Sequence, residues 1–346
     1  MKNIIAVVMG GPSAEHEVSL QSGLEVLKFM DHDAWSVRAV LISREREFFF
    51  ADMDKKPPLT YDELIDPRNS RSLEGPFSPD NAISVWEGCK SAFLALHGSF
   101  GEDGLMQGYL ECIGVPYTGS GVYASAVAMN KITSKHLFIQ NGIPTPPYSL
   151  YGPRFAESSV EEIARKHGFP CFVKCPQSGS SRLMGRASNL SELTALLEEF
   201  SGQAKEILVE TAITGTEFTC GVLEDDSGKI FALPPVEIRP KATFFDYTAK
   251  YSTNGSEEIV PAPQPADIIA RIQETACKVH EVIGCYGVSR TDMILSDGTL
   301  YVLETNTLPG LTSNSLIPKS YGATGGSFTS LIDTLIKQAL RRGRRS

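Results

Sequence analysis

The sequence predicts a mixed α/β protein with two or three domains, and three observations support this class. The chain has 346 residues, which is long for one hydrophobic core. Its first third alternates buried strands with an amphipathic helix, and its last third is rich in strands. No internal repeat or low-complexity tract breaks this order. An α/β enzyme is therefore expected.

The first 120 residues predict an open α/β domain. NIIAVVMGG is typical of a strand that ends in a glycine turn, EHEVSLQSGLEVLKFM of an amphipathic helix, and WSVRAVLIS and KSAFLALHG of buried strands. Polar loops follow two of these strands. A helix is expected from near Ser13, with Glu15 in its first turn, and another at Glu102 and Asp103, after His97. Neither loop is G-x-G-x-x-G, so an ordinary capped helix stays open as the alternative at each.

A second unit begins near SAVAMNKITSKHLFIQNGIP, which predicts one helix that ends at Gly142 and Pro144. The strands FPCFVKCP and KEILVETAI then enclose a glycine-serine loop. Lys174 lies on the first of these strands, and the loop offers backbone N–H groups and hydroxyls that could surround phosphate oxygens. The loop lacks the G-K-[ST] ending of a Walker A motif, so an exposed linker is the alternative.

The last third predicts the strands TEFTCGVLE and KIFALPPVEI, a hairpin SRTDMILSDGTLYVLETN and a closing helix SFTSLIDTLIKQALRR. Before the hairpin, ATFFDYTAKYS mixes aromatic residues with Asp246 and Lys250. This mixture favours an ordered flap over a core segment. The basic end RRGRRS predicts a solvated tail.

The hairpin carries a candidate cation site. Side chains alternate along a strand, so Arg290 and Asp292 share one face, and so do Glu304 and Asn306. A two-residue loop at Asp297-Gly298 would place Asp292 and Glu304 on opposite faces. A three-residue loop, or an equivalent bulge, would place all four on one face, and this arrangement is predicted. Two carboxylates and an amide then suit Mg²⁺, with a guanidinium for developing negative charge. An ordinary polar strand end is the alternative.

Composition excludes several other classes. The net charge of -9 argues against nucleic acid as a partner. An anionic substrate must then be attracted by local lysines, arginines and helix ends. The seven cysteines are scattered without a C-x-x-C motif, which predicts reduced thiols in the cytoplasm and not a disulfide frame or zinc site. The first apolar run is short for a signal peptide, and no segment is long enough to span a membrane.

Eight motifs together resemble those of a known enzyme family. They are GGPSAEHEVS, HGSFGEDG, AMNK, FVK with GSS, LPPVEI, FFDYTAKY, RTDM and LETNTLPGLTSNS, in this order along essentially the whole chain. Their order and spacing resemble D-alanine:D-alanine ligases of the ATP-grasp fold. The resemblance implies an open α/β N-terminal domain at 1–120, which faces the first D-alanine. It further implies a central subdomain with a phosphate lid at 121–213, a C-terminal domain with the metal and oxyanion site at 214–346, and ATP between these two.

The resemblance also implies roles for individual residues. Those that resemble ATP-binding residues are Lys131, Lys174, Ser181, Glu210, Ile213, Glu217, Phe244 and Lys250. Those that resemble catalytic residues are Glu15, Ser180, Tyr251, Arg290 and Gly310. Those that resemble substrate contacts are Glu15, His97, Ser315 and the Leu316 N–H. Asp292, Glu304 and Asn306 resemble the ligands of two Mg²⁺ ions, for which Mn²⁺ can substitute.

The implied activity is the joining of two D-alanines through an acylphosphate, with ATP, for bacterial peptidoglycan. A homodimer is also implied. Tyr251 favours this reaction over the joining of D-alanine to D-lactate, because the D-lactate ligases lack a tyrosine at the matching position. Two alternatives stay open: another ATP-grasp carboxylate-amine ligase, and a weakly active nucleotide-binding paralogue with a regulatory role.

The chain departs from the family pattern in the phosphate-covering loop. Cys175 stands where the family usually has Pro, and Arg182-Leu183 where it usually has Val-Gly. A leucine in place of glycine would narrow the backbone conformations if that position needs a positive φ. Arg182 is expected to point into solvent.

Overall fold

The N-terminal sheet of the computed structural model joins parallel and antiparallel strands. The structure describes residues 2–55, 59–155, 159–177, 183–225, 227–240 and 256–343. The first sheet has the order β4-β3-β2-β1-β5, in which β2, β1 and β5 are parallel and β3 and β4 form an antiparallel edge. Its strands are β1 (Ile4–Gly10), β2 (Ser36–Ile42), β3 (Phe48–Asp52), β4 (Glu74–Phe77) and β5 (Cys89–Leu94). Its helices are α1 (His16–Phe29), α2 (Tyr61–Ile65) and α3 (Leu105–Cys112).

Both predicted helix starts in this region lie slightly too early in the sequence. Helix α1 begins at His16, so Glu15 stands just before its first turn and not within it. Helix α3 begins at Leu105 after Gly104, which has φ +95°. Asp103 accepts backbone hydrogen bonds from Phe100 and Leu105 and forms the turn that precedes the helix.

The middle of the chain contains two helices where one was predicted. Helix α4 (Val122–Met129) ends at Asn130, whose extended backbone breaks the helix, and α5 (Lys131–Gln140) follows at once. The Asn130 side chain accepts hydrogen bonds from the N–H groups of Ile132 and Thr133, as an N-cap does. The single-helix prediction was wrong because asparagine can cap a new helix inside a continuous apolar pattern. As a result, Lys131 occupies the first position of α5.

A second sheet is fully antiparallel, with the order β6-β9-β7-β8. Its strands are β6 (Tyr148–Tyr151), β7 (Cys171–Lys174), β8 (Met184–Ala187) and β9 (Ile207–Thr211). Helices α6 (Val160–His167) and α7 (Leu190–Ser201) cover one face, where their apolar side chains form a separate core with those of β7 and β9. Lys174 and Glu210 alternate with these core residues and so lie on the opposite face, where Lys135 of α5 contacts Glu210.

The third sheet has the order β13-β12-β10-β14-β15, and β11 pairs with β10. Its strands are β10 (Thr216–Glu224), β11 (Ile230–Ala232), β12 (Val236–Pro240), β13 (Ser256–Ile259), β14 (Val288–Ser296) and β15 (Thr299–Asn306). Helix α8 (Ala266–Ile283) packs its apolar stripe on one face. Helices α9 (Leu316–Gly322) and α10 (Phe328–Arg342) follow β15.

Helix α10 returns to the N-terminal sheet. Leu331, Leu335 and Ile336 belong to the same core as Val7 and Leu20, so the two ends of the chain share one apolar interior. The closing helix and the predicted strands are confirmed within a few residues, with one exception. KIFALPPVEI forms two strands, β11 and β12, and not one, because Pro234 and Pro235 have no N–H group to donate in a continuous strand. The division at residues 120 and 213 stays a prediction. In the part of the chain that the structure describes, no helix has both the length and the apolar character needed to cross a bilayer.

The basic end of the chain contradicts the prediction of a solvated tail at two positions. Arg341 donates to the Asp225 carbonyl and pairs with Glu224 at 3.0 Å. Arg342 lies over the rings of Tyr117 and Tyr286, at 4.5 and 5.3 Å from their centroids. Both guanidinium groups therefore make tertiary contacts, because a helix end can carry arginines back into the fold. Residues 344–346 lie outside the described part.

Candidate active site

The hairpin β14–β15 places four predicted site residues on one face. Arg290 pairs with Asn306 and Asp292 with Glu304, and directly opposite residues share a face. The turn itself has two residues, Asp297 and Gly298, both with positive φ, so the predicted three-residue loop was wrong. The predicted alternative, a bulge, is confirmed. Leu303 is the extra residue between the pairs Asp292–Glu304 and Met293–Val302.

Asp292 is held by two neighbours on this face. The guanidinium of Arg290 donates to both carboxylate oxygens, at 3.1 and 3.0 Å. The Thr219 hydroxyl on β10 donates to the Asp292 Oδ1 at 2.5 Å. Although burial alone would lower it, the pKa of Arg290 is raised, because Asp292 lies beside it and Glu304 is near. Asp292 is thus fixed in orientation before any ligand arrives.

Lys131 joins the start of α5 to β15, the strand that carries Glu304. Its Nζ lies 2.9 Å from the Glu304 Oε2. Burial opposes the charge of Lys131, but Glu304 holds the pKa of its ammonium above the ordinary value. Asn306 keeps its amide oxygen near the backbone, where it accepts from the Leu308 N–H at 2.9 Å. The predicted phosphate lysine and the predicted metal ligand are therefore in direct contact.

Lys174 and Glu210 meet on the second sheet, as the predicted ATP-binding residues would. The Lys174 Nζ lies 2.6 Å from the Glu210 Oε2, and the Lys135 Nζ lies 2.9 Å from the Glu210 Oε1. Burial would raise the pKa of Glu210, but the two ammonium groups lower it to about 2. Glu210 is thus a buried carboxylate that stays charged at neutral pH.

The two glycine loops of the N-terminal domain converge. The Ser13 hydroxyl accepts from the Glu15 N–H at 3.1 Å and donates to the His97 carbonyl at 2.7 Å. Gly98 has φ +69°, and a side chain there would come within 2.6 Å of the Glu15 Oε2. The structure therefore brings Glu15 and His97, predicted substrate contacts from distant parts of the sequence, to one place.

His97 is oriented by two polar neighbours. Its Nε2 lies 2.8 Å from the Ser22 hydroxyl on α1, and its Nδ1 lies 3.8 Å from the Glu102 Oε1. Glu102 also accepts from the Gly98 N–H at 2.9 Å. The Glu102 carboxylate contributes to the raised pKa values of Lys131 and Arg290. Glu102 is therefore close enough to Lys131 and Arg290 to interact with them electrostatically.

The loop after β15 carries the remaining predicted substrate contacts. The Ser315 hydroxyl accepts from the Thr312 N–H at 3.1 Å and lies 2.8 Å from the Thr312 hydroxyl. A side chain at Gly310 would come within 2.9 Å of the Ser315 Oγ, so the glycine leaves this space open. Leu316 begins α9. The loop runs from the hairpin back to α1, where the Ser313 N–H meets the Glu25 carboxylate at 3.4 Å.

Two further predicted ATP-binding residues lie just after β9 and on β10. Ile213 is half-buried in the connection between β9 and β10, three residues after Glu210. Glu217 lies on β10 opposite Ile294, on the same face as Thr219 and Asp292. Five other predicted residues lie outside the described part of the chain. These are Ser180, Ser181, Phe244, Lys250 and Tyr251.

The departures next to the glycine-serine loop are accommodated by the fold. Leu183 is absent from the residues with positive φ in the described chain, so the backbone restriction considered for this position does not arise. Its side chain packs against the core of the second sheet, and its carbonyl accepts from the Cys175 N–H at 3.0 Å. Cys175 is buried in the same core. Arg182 lies outside the described residues.

The donor set on the hairpin face fits a hard divalent cation. Within the described ranges, no cluster of three or more His, Cys, Asp and Glu side chains is arranged for a metal. The set here is two carboxylates and one amide, whose oxygens are donors that Mg²⁺ prefers. Glu304 and Asp292 each already attract a cationic side chain. A cation that binds here would therefore compete with Lys131 and Arg290 for the two carboxylates.

Comparison with known proteins decides the family. The family models described as D-ala D-ala ligase N-terminus and D-ala D-ala ligase C-terminus match residues 4–120 and 137–337. The D-alanine–D-alanine ligase of Leptospira biflexa serovar Patoc is 37% identical, with 97% of this chain and 98% of that protein covered. The chain belongs to the D-alanine–D-alanine ligase family. The predicted family is thus confirmed.

Solved structures show the fold that the D-alanine–D-alanine ligase family shares. The VanG D-Ala:D-Ser ligase from Enterococcus faecalis matches with a TM-score of 0.85 at 31% identity, covering 98% of this chain and 100% of that one. The Bacillus anthracis D-alanine–D-alanine ligase complexed with ATP matches with a TM-score of 0.76 at 28% identity, covering 99% of both chains. The predicted ATP-grasp fold is confirmed.

Sequence reasoning missed three side chains that hold predicted site residues in place. Thr219 orients Asp292, Ser22 orients His97, and Lys135 contacts Glu210. Lys135 follows Lys131 by four residues on α5, a spacing that places both on one helix face. That spacing was the available signal for Lys135. Thr219 and Ser22 had none, because their partners are 73 and 75 residues away in sequence.

Proposed function

We propose that this protein joins two D-alanine molecules to D-alanyl-D-alanine, converting ATP to ADP and phosphate. One observation carries the proposal. Arg290, Asp292 and Glu304 share one face of the hairpin, and the Lys131 ammonium contacts Glu304. Glu102, on the loop that follows His97, is near enough to contribute to the raised pKa of Arg290. Family membership agrees with this chemistry. The dipeptide would serve the synthesis of bacterial peptidoglycan.

In the first step, a carboxylate oxygen of the first D-alanine attacks the γ-phosphorus of ATP. The bond from this phosphorus to the β-γ bridging oxygen breaks, ADP leaves, and an acylphosphate forms. Transfer of this kind depends on positioning and charge neutralisation more than on covalent help. Lys131 and Lys174 are the proposed phosphate contacts, since each presents an ammonium between the second and third sheets.

In the second step, the ammonium of the second D-alanine loses a proton to solvent, and the resulting amine attacks the acyl carbon. The carbon-nitrogen bond forms and an oxyanion develops. The nitrogen loses a second proton to solvent, and collapse of the oxyanion breaks the bond to phosphate, which leaves. Arg290 and the Gly310 N–H are the proposed oxyanion donors. Losing one such donor typically lowers the rate about 10²- to 10³-fold. Ser315 and the Leu316 N–H are the proposed contacts of the second carboxylate.

The remaining assignments rest on position in the fold. Glu15 is proposed to bind the ammonium of the first D-alanine, in contact with Ser180 and Tyr251, and His97 to touch the same substrate. For the nucleotide, the proposed contacts are Glu210, Ile213, Glu217, Phe244, Ser181 and Lys250. Asp292, Glu304 and Asn306 are proposed to hold two Mg²⁺ ions, with Mn²⁺ as a substitute. Bound there, Mg²⁺ would neutralise charge on the phosphate oxygens.

Binding of nucleotide would change partners at Lys131. The Lys131 ammonium lies 2.9 Å from the Glu304 carboxylate. A phosphate that attracts Lys131 would release a carboxylate oxygen of Glu304 toward the cation. Nucleotide and cation should therefore bind more tightly together than separately.

D-serine as second substrate is the runner-up. The observation that favours it is the match to the VanG enzyme, a D-Ala:D-Ser ligase. The described residues around Ser315 favour neither D-alanine nor D-serine as the second substrate. We further propose that the protein is a homodimer and that it is cytoplasmic, which agrees with reduced cysteines. Neither a nucleic acid nor a membrane is expected as a partner.

The deciding experiment measures phosphate release from ATP with Mg²⁺. D-alanine alone, L-alanine alone, and D-alanine mixed with D-serine or D-lactate are compared, and products are identified by mass. Dipeptide from D-alanine alone is expected. A mixed D-alanyl-D-serine product formed in preference would favour the runner-up. Nucleotide binding without turnover on any amino acid would contradict the proposal and favour a regulatory nucleotide-binding protein.

A further inference from the structure

Lys135 is a fully buried lysine to which the proposed reaction assigns no role. Its side chain is 0% exposed. Its ammonium lies 2.9 Å from the Glu210 Oε1 and donates to the Thr145 hydroxyl at 2.7 Å. Lys174 contacts the other oxygen of Glu210. Lys135, Glu210 and Lys174 are called here the buried lysine cluster.

The charges of this cluster do not cancel. Among the described side chains, one carboxylate lies between two ammonium groups. Burial, together with Lys174, lowers the pKa of Lys135, and Glu210 opposes this shift. With all three groups ionised, the cluster carries an excess of one positive charge. An uncompensated charge in a protein interior is costly unless a counter-charge is close. Lys131 adds a further positive charge nearby, and Glu304 compensates it. The buried lysine cluster is therefore arranged to receive an anion.

The excess charge is accessible at one end of the cluster. Lys135 is 0% exposed and the Glu210 side chain 3%, whereas the Lys174 side chain is 13% exposed. An anion from solvent thus reaches Lys174 first. If Lys135 were absent, the single carboxylate of Glu210 would neutralise Lys174 alone. Because Lys135 contacts the other oxygen, the Glu210 carboxylate is shared between two ammonium groups.

Lys135 is also linked to the third sheet through one hydrogen bond, to Thr145. The Thr145 hydroxyl that accepts from Lys135 donates to the Val302 carbonyl at 2.8 Å. Val302 lies on β15, two residues before Glu304. Lys135 and Lys131, four residues apart on α5, thus contact carboxylates on two different sheets. The helix couples the geometry of the second sheet to that of the hairpin.

We propose that Lys135 is a positioning residue for nucleotide binding: by sharing Glu210, it leaves Lys174 with an uncompensated charge for a phosphate group. The inference rests on the proposed ATP site and adds a residue to it. Lys135 touches neither substrate nor phosphate. Its action is through Glu210 and Lys174.

The test compares Lys135→Met with the wild-type protein in calorimetric titrations with Mg²⁺ and a non-hydrolysable ATP analogue, and separately with adenosine. Affinity for the analogue should fall at least about tenfold, the scale of one charged hydrogen bond, while affinity for adenosine should change less than about threefold. Equal losses for both ligands would indicate a structural defect and overturn the proposal. So would an unchanged affinity for the analogue.

Thr145→Val is the matched control, because it removes one hydrogen bond from Lys135 but keeps the ammonium. Its affinity for the analogue should stay within about threefold of wild type. A loss as large as that of Lys135→Met would overturn the charge argument. If Lys135→Met fails to fold, Lys135→Gln, which is neutral but forms hydrogen bonds, takes its place in the same titrations. Failure of the wild-type protein to bind the analogue would overturn the proposed function as well, whereas binding that Lys135→Met leaves intact would overturn only this inference.

Discussion

Glu210 shows how one side chain of the site depends on its neighbours. Burial raises the pKa of this carboxyl, but Lys174 and Lys135 together lower it to about 2, from 4.5. A carboxyl whose pKa is depressed in the folded state adds stability above its unfolded pKa and loses it as pH falls toward the folded value. The contribution of Glu210 should therefore be complete above about pH 4.5 and vanish near pH 2.

Substitution Glu210→Gln should cost about 3–5 kcal/mol of unfolding free energy at pH 7, because two buried ammonium groups lose their counter-charge. The gap from wild type should narrow as pH falls below about 4.5, because the Glu210 carboxyl of the unfolded chain then takes up a proton while that of the folded protein stays charged. Urea unfolding of both proteins between pH 7 and pH 3 measures this. A gap that stays constant with pH would contradict the assignment of the pKa.

Thr219 provides a second prediction at this scale. Thr219→Val removes the hydroxyl that fixes the Asp292 carboxylate. The Mg²⁺ concentration for half-maximal phosphate release should rise about tenfold, as is common when a residue that orients a metal ligand is lost. Thr291→Val is the control, since the Thr291 hydroxyl meets Thr305 on the other face of the hairpin. It should lower stability but leave the Mg²⁺ dependence unchanged.

Among single residues, prediction from sequence succeeded where local geometry was enough. Strand alternation places Asp292 and Arg290 together, and both lie as expected. It could not find Thr219 or Ser22, because side-chain contacts between distant segments follow from packing and not from spacing. The roles given to Ser180 and Tyr251 stay predictions.

At the scale of elements, the hairpin and α5 illustrate two limits of pattern reasoning. The bulge at Leu303 was predicted only as an alternative, because turn residues alone do not decide between a longer loop and an extra residue in the strand. The break at Asn130 was missed because the apolar pattern runs through it. In both cases a local backbone feature decides where a predicted site residue points: the bulge for Glu304 and the helix break for Lys131.

The cap at Asn130 leads to a prediction for α5. Asn130→Ala should cost about 1 kcal/mol of stability and raise the KM for ATP about fivefold, since Lys131 begins the capped helix. Asn189→Ala is the matched control, because Asn189 caps α7 through the Glu192 N–H, in a helix that holds none of the proposed site residues. A similar rise in KM for Asn189→Ala would show that the effect is general destabilisation.

At the scale of the whole molecule, the last helix holds the N-terminal sheet against the third sheet. The apolar side of α10 enters the N-terminal core, and Arg342 lies over Tyr117 on one side and Tyr286 on the other. Arg342 also donates to the Gly119 carbonyl at 3.2 Å. The sequence indicated three units, but how they meet depends on contacts more than 200 residues apart and could not be predicted.

Substitution Arg342→Ala should therefore cost about 2 kcal/mol of stability and raise the KM for D-alanine, because Glu15 and His97 would be less firmly placed over the hairpin. Arg342→Lys should restore only part of this, since lysine lacks the planar group that lies over the rings. Lys337→Ala, on the same helix in a half-exposed pair with Asp333, is the control and should change stability by less than about 1 kcal/mol. A normal KM for D-alanine in Arg342→Ala would show that the contacts of Arg342 do not affect substrate binding, and would contradict this prediction.

Whether Asp292 and Glu304 share a face depends on whether the number of residues between them, leaving out the extra residue at Leu303, is odd or even. With a two-residue turn and no bulge, Asp292 would stand opposite Leu303, and Glu304 would point away from it. Each single insertion or deletion between Asp292 and Glu304 reverses this relation, and each pair restores it. A relative whose turn is one residue longer thus needs no bulge, whereas one whose turn is two residues longer needs it again. Length changes in this hairpin should accordingly be inherited in twos, or one at a time together with the gain or loss of a bulge.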